Sequence, residues 1–195
     1  MQPVYSLVSA PAAEPVTLAE AALQVRQDSA DDNAILTLLI GATREAFEAE
    51  HNIYFVTQTV DAHYPGFPGL DFIRIPRGPI QSITSIKYTT SDDTEYTLAA
   101  ANYDVDARRG RIVLKDGKQW PVATLRPMDA VVVRCVMGFG GSAAVPQRAK
   151  HALLMTLDHL YNHRSDVIVG NTAVEAKRMA RASEYLMAGL RYWAL

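Results

Sequence analysis

Two hydrophobic periodicities divide this chain. Between residues 31 and 52 apolar side chains return every three to four positions, and they do so twice over. Ile35, Leu38, Leu39, Ala42, Ala46 and Ala49 form one stripe, and Leu36, Ile40 and Phe47 form a second. This spacing predicts an amphipathic helix, and two stripes predict more than one neighbour, within the subunit or across an interface. Asp31 or Asp32 is placed to cap it, where a carboxylate also suits the helix dipole. Upstream, Thr17 and Glu20 have capping-box spacing and predict a short helix through Arg26. Residues 1–15 hold three prolines without periodicity, which predicts an extended arm.

From Tyr54 to Met137 the pattern changes to strand-sized runs rich in β-branched and aromatic residues, at 55–64, 71–75, 82–88, 102–106, 110–114 and 130–137. Turn residues separate them, including Pro65 with Gly66, Pro68 with Gly69, Ser91 with Asp92 and Asp93, and Asp116 with Gly117. The run 130–137 is apolar on both faces except for Arg134, which predicts a central strand with the arginine paired to a carboxylate.

Pro146 suits the first position of a third helix over 147–164, apolar through Leu153, Leu154, Leu157, Leu160 and Tyr161, and expected to be the most buried. A fourth helix carries Ala176, Met179, Ala180, Ser183, Leu186, Met187 and Leu190 on one stripe. The expected fold is therefore α+β. About four helices from segments 16–53 and 145–195 form a helical bundle, with a β-rich insertion at 54–144 between them and the arm at 1–15.

Composition narrows the function. The chain has 195 residues, 49% apolar and 21% charged, enough to bury a core without staples. Its net charge of −2 lacks the excess of basic residues that phosphate-backbone binding requires. The one cysteine, Cys135, rules out an internal disulfide. The N-terminal residues lack a basic region and a long apolar run, and no stretch approaches the roughly 20 apolar residues of a membrane span. The expectation is a cytoplasmic protein with no membrane contact.

Candidate chemistry is sparse. His159 and His163 are four residues apart on one helical face, with His151 two turns earlier and Asp166 as a possible third ligand. A small metal-dependent hydrolytic enzyme would use this set, but the zinc-protease pattern needs Glu after the first His, and Leu160 stands there. The run Gly138, Phe139, Gly140, Gly141 and Ser142 lacks the Lys of a phosphate loop, and a turn with left-handed backbone angles explains it better. Cys135 lies in an apolar strand, where a thiol is a small hydrophobe. Arg108, Arg109 and Arg111 form the densest basic cluster, at a hairpin turn where they could meet DNA or a neighbouring subunit. No catalytic residue, metal or cofactor is expected.

The order of segments carries a resemblance. VTLAEAALQVR at 16–26 and DDNAILTLLIGATREAFEAEHN at 31–52 come first, followed by VTQTV at 56–60 and IPRGPIQSITSIKY at 75–88. NYDVDARRGRIVL at 102–114, the strand ending in GFGG, and VPQRAKHALLMTLDHLYNHR at 145–164 complete the set. Together these resemble the head–tail connector (adaptor) family of tailed phages, in its longer form with a β-rich insertion. The resemblance implies a dodecameric ring in the neck of a phage or phage-like particle, assembled in the bacterial cytoplasm. It implies as partners further copies of the chain, the portal protein, and a stopper or tail-completion protein. DNA would pass through the ring without sequence-specific binding. A ring of one repeated subunit needs two unlike, complementary patches on each copy. Leu36, Ile40 and Phe47 are candidates for subunit contact, and the aromatic end at Tyr192, Trp193 and Leu195 for docking on the portal. Another neck protein, such as a stopper or tail-completion protein, is the alternative within the same class.

Overall fold

The β-branched and aromatic runs build two antiparallel sheets in the computed structural model, which describes residues 2–163 and 182–190. The strands are β1 (Val4–Ser9), β2 (Gln58–Tyr64), β3 (Phe72–Arg74), β4 (Ile80–Thr89), β5 (Glu95–Thr97), β6 (Tyr103–Asp106), β7 (Arg111–Leu114) and β8 (Val131–Met137). One sheet has the order β1-β2-β8-β4-β5 and the other β3-β7-β6. The helices are α1 (Leu18–Gln24), α2 (Asn33–His51) and α3 (Gln147–Asn162), with a further helical stretch at 182–187. The chain divides into two units, one holding residues 2–12 and 57–139, the other 13–56, 140–163 and 182–190.

The expected helical bundle with a strand-rich insertion is not what the chain forms. The fold is α+β, with eight strands in two antiparallel sheets among the described residues, and the N-terminal segment contributes a strand, β1, as well as helix. Pro3 and Pro11 bracket β1 instead of preventing it, because proline is tolerated beside an edge strand where no ladder bond is lost.

In the strand unit β8 is central, as its apolar pattern predicted. Val131, Val133, Cys135 and Met137 are fully buried, while Val132, Arg134 and Val136 lie on the opposite, partly exposed face. Pairing carries this alternation across the sheet. Val60 and Ala62 of β2 oppose Cys135 and Val133, and Ile83 and Ile86 of β4 oppose the same two residues from the other side. A register shift between Ile83 and Ser85 lets β4 keep both isoleucines on the core face.

In the helical unit the Thr17 capping box forms. The Glu20 backbone N–H donates to Thr17 Oγ1 at 3.2 Å, and the Glu20 carboxylate accepts the Thr17 N–H at 2.6 Å. That N–H and the Thr17 hydroxyl, donating to the same carboxylate, hold Glu20 below the usual carboxyl range. The start of α2 differs from expectation. Ser29 accepts the Asp31 N–H and opens a 3-10 turn at Ala30–Asp32, and Asp32 occupies the N-cap with no side-chain cap bond. The Asp32 carboxylate instead accepts the Tyr161 hydroxyl of α3.

Leu36 and Ile40 of α2 bury against Val16, Ala21 and Leu157, with Leu39, Leu154 and Tyr161 packed around them. Arg44, almost fully buried, donates to Glu14 at 2.8 Å, Glu48 at 3.0 Å and Glu45 at 3.1 Å. Burial alone would lower its pKa, but the Glu14 and Glu48 carboxylates outweigh it and hold the guanidinium charged. Glu48 also accepts the Phe55 N–H at 2.9 Å, so the network ties α2 to the segment leaving it. Pro146 sits at the N-cap of α3, one position before the first helical turn. The preceding glycine run is conformational: Gly140 has φ +135, and a Cβ there would lie 2.9 Å from Ala144 Cβ.

Candidate assembly surfaces

The described surface holds three features suited to contact with other chains. The first is the outer edge of β1. Among the described residues this strand pairs only with β2, and its six residues, VYSLVS, carry no charge. Val4 is 70% exposed and Leu7 60%, and Val8 is exposed beside them. An edge strand shows a row of backbone donors and acceptors to any passing chain, and charged side chains are the usual protection against that. Sequence reading missed β1 because an edge strand with one half-buried residue has no apolar alternation to display. The available signal was a short uncharged β-branched run bounded by prolines.

The second feature is the outward stripe of α2. Of the two predicted stripes, Leu36, Ile40 and Phe47 are buried inside the chain's own unit. These were the candidates for subunit contact, and intramolecular packing occupies them. The other stripe faces outward, with Leu38 71% exposed and Ile35, Ala42, Ala46 and Ala49 exposed along it, except Leu39, which is half-buried against the core. The expected burial order also reverses, since α2 buries seven residues and α3 four.

The third feature is the β6–β7 hairpin. Asp106 receives the Arg109 backbone N–H at 3.1 Å and the Arg111 Nε at 3.1 Å, and the Arg109 guanidinium lies 3.5 Å away. Arg111 also lies over the Phe72 ring, 5.6 Å from its centroid. The hairpin therefore orders Arg111 against the sheet and leaves Arg108 and Arg109 toward solvent.

Arg134 meets its carboxylate. Its Nε and Nη2 donate to the two oxygens of Asp61 at 2.8 Å each, across the β2–β8 pair. These bonds and the Asp61 charge raise the Arg134 pKa and hold the guanidinium charged. Burial, with the Asp61 charge behind it, pushes the Cys135 thiol up to about 12, which makes it inert. Asp92 lies in the predicted turn, accepting from the Thr90 and Thr94 hydroxyls.

The histidine set does not converge. The rings of His159 and His163 are 4.4 Å apart, and His163 Nδ1 is 3.0 Å from the His159 carbonyl. His151 is exposed toward the other end of α3, eight residues or about 12 Å away along the axis. Asp166 lies outside the described residues. Among the described residues no group of three or more His, Cys, Asp or Glu could hold a metal ion. Of the fourth helix, Ser183, Leu186, Met187 and Leu190 are described, with Met187 fully buried. Ala176, Met179 and Ala180 lie outside the described residues, as do Tyr192, Trp193 and Leu195. No helix among the described residues is long and apolar enough to cross a membrane.

The architecture, an open five-stranded sheet with a smaller sheet and a helical unit, is similar to that of chains in gene transfer agent particles. No protein family matches the sequence, and no curated protein does. Among solved structures, the chain resembles one from the virion of a native gene transfer agent particle at TM-score 0.76 and 17% identity, over 94% of both chains. It resembles a chain in the neck of an empty gene transfer agent particle computed with C6 symmetry at TM-score 0.73 and 20% identity, over 86% of this chain and 88% of that one. It also resembles a chain in the neck of the native particle computed with C12 symmetry at TM-score 0.65 and 18% identity, over 92% and 94%. The fold is thus common to all of them along nearly the full length.

Proposed function

We propose that this chain is a structural connector in the neck of a tailed phage or phage-like particle, where copies form a ring beneath the portal. The observation that carries this reading is the near full-length fold likeness to chains from gene transfer agent necks, two of them from reconstructions with cyclic symmetry. The uncharged β1 edge and the apolar outer stripe of α2 support it, because they suit a surface that spends its working life covered. So does the segment order described above, which resembles adaptors. The ring extends the DNA channel and hands it to a stopper or tail-completion protein. A net charge of −2 suits a passage along which DNA slides without being held. The role is mechanical, not enzymatic.

Inactivating the gene in a producing strain tests this. The expected product is DNA-filled heads that carry a portal and lack tails. Normal tailed particles without the protein would refute the reading. Tyr192, Trp193 and Leu195 are proposed to anchor the ring on the portal. Deleting residues 191–195 is expected to leave the soluble protein folded and abolish head attachment.

A further inference from the structure

We infer that the ring closes through its sheets, with β1 of one copy adding to the outer edge of β5 in the next. This rests on the ring reading above and names the surfaces that make it.

A cyclic ring needs two unlike patches that fit each other, and an open sheet has two edges. Here they are β1 and β5, at opposite ends of the order β1-β2-β8-β4-β5. Every step between them is antiparallel. Four reversals leave β1 and β5 running in the same direction. Rotation about a ring axis that lies along the strands preserves strand direction, so the next copy's β1 arrives parallel to β5 and can extend the ladder. A two-fold axis would bring β1 against β1 and stop at a dimer.

The side chains agree at both edges. Through the register, Leu7 lies on the face of Val60, Cys135 and Ile83, which is the core face. Tyr96 pairs with Tyr88, which opposes Val131, so Tyr96 lies on that same face. The core layer thus ends in an exposed apolar residue on each side, Leu7 at 60% and Tyr96 at 47%. Edge-to-edge addition sets these two next to each other and continues the apolar layer from copy to copy. On the opposite face the same addition places Ser6 beside Glu95 and diagonal to Thr97, with no like charges to repel. The missing charge on β1 is then explained: its edge is protected by a neighbour. Strand addition also matches backbone to backbone, so it tolerates wide sequence change outside the edges.

Crosslinking in assembled necks tests the contact. Ser6→Cys and Thr97→Cys are introduced singly and together, and particles from producing cells are treated with a short bismaleimide. Both residues are exposed, and native Cys135 is fully buried, so within this chain the new thiols alone react. The double variant is expected to give a ladder of covalent multimers on a denaturing gel, and each single variant none. Dimers from Ser6→Cys alone would overturn the inference in favour of β1–β1 pairing. A ring visible by microscopy with no ladder would overturn it and leave the ring intact. Necks without a ring of this chain would overturn both. Leu7→Lys, at an exposed position, is expected to leave the melting temperature unchanged and cut the yield of tailed particles at least tenfold. An unchanged yield would also overturn the inference.

Discussion

Leu36→Ala separates a core residue from an interface residue, and its cost can be worked from the structure. Leu36 is fully buried among Val16, Ala21, Ile40 and Leu157. Truncation removes three carbons, and at about 0.8 kcal/mol per methylene the transfer loss alone is about 2.4 kcal/mol. The surrounding side chains come from three helices and cannot all collapse inward, so a residual cavity adds to this, within the roughly 2–5 kcal/mol range of such changes. About 3 kcal/mol is expected, or a drop of about 6–12 °C in melting temperature for a chain of this length. The assay is urea denaturation followed by far-UV circular dichroism at two protein concentrations differing tenfold. The midpoint should fall equally at both, because the lost contact is internal. Leu38→Ala, on the exposed stripe, should stay within about 0.5 kcal/mol of the parent. A Leu36→Ala protein of unchanged stability, altered only in self-association, would refute this placement of the core.

Three further outcomes are expected. Thr17→Ala should cost about 1 kcal/mol at pH 7 by removing the α1 cap. Glu20 is held below its unfolded pKa, so its share of that stability is present above the unfolded carboxyl value and is lost as pH falls through the lowered folded value. The gap between parent and variant in denaturation curves should therefore narrow below about pH 4. Gly140→Ala combines φ +135 with a 2.9 Å approach to Ala144 Cβ, and should destabilise by more than about 1 kcal/mol in thermal melts. Cys135 should resist maleimide at pH 8 in the native state and react at once in 6 M guanidinium, as labelling followed by mass spectrometry would show.

Much of the local structure was legible from residue types because short-range chemistry decides it. Thr17 with Glu20 specified a cap, the glycines at 138–141 a left-handed turn, and the apolar run at 130–137 a central strand with a paired arginine. The placement of α2's stripes was not legible. Both have helical spacing and similar hydrophobicity, and only the positions of α1 and α3 decide which one turns inward. The bundle expectation failed for a related reason. Strands at 4–9 and 95–97 bury few side chains, and their pairing is set by the edges of a sheet assembled from distant segments. The assembly surfaces inherit this. What makes β1 notable is its place in the sheet, which no local pattern encodes.

The central claim is that this chain works as a ring in a particle neck. Cryo-electron microscopy of necks from particles that contain the protein tests it most directly. The account predicts a closed cyclic ring of this fold, coaxial with the portal and surrounding the DNA channel, between head and tail. Density showing the chain outside the neck, or as isolated copies that form no ring, would contradict it.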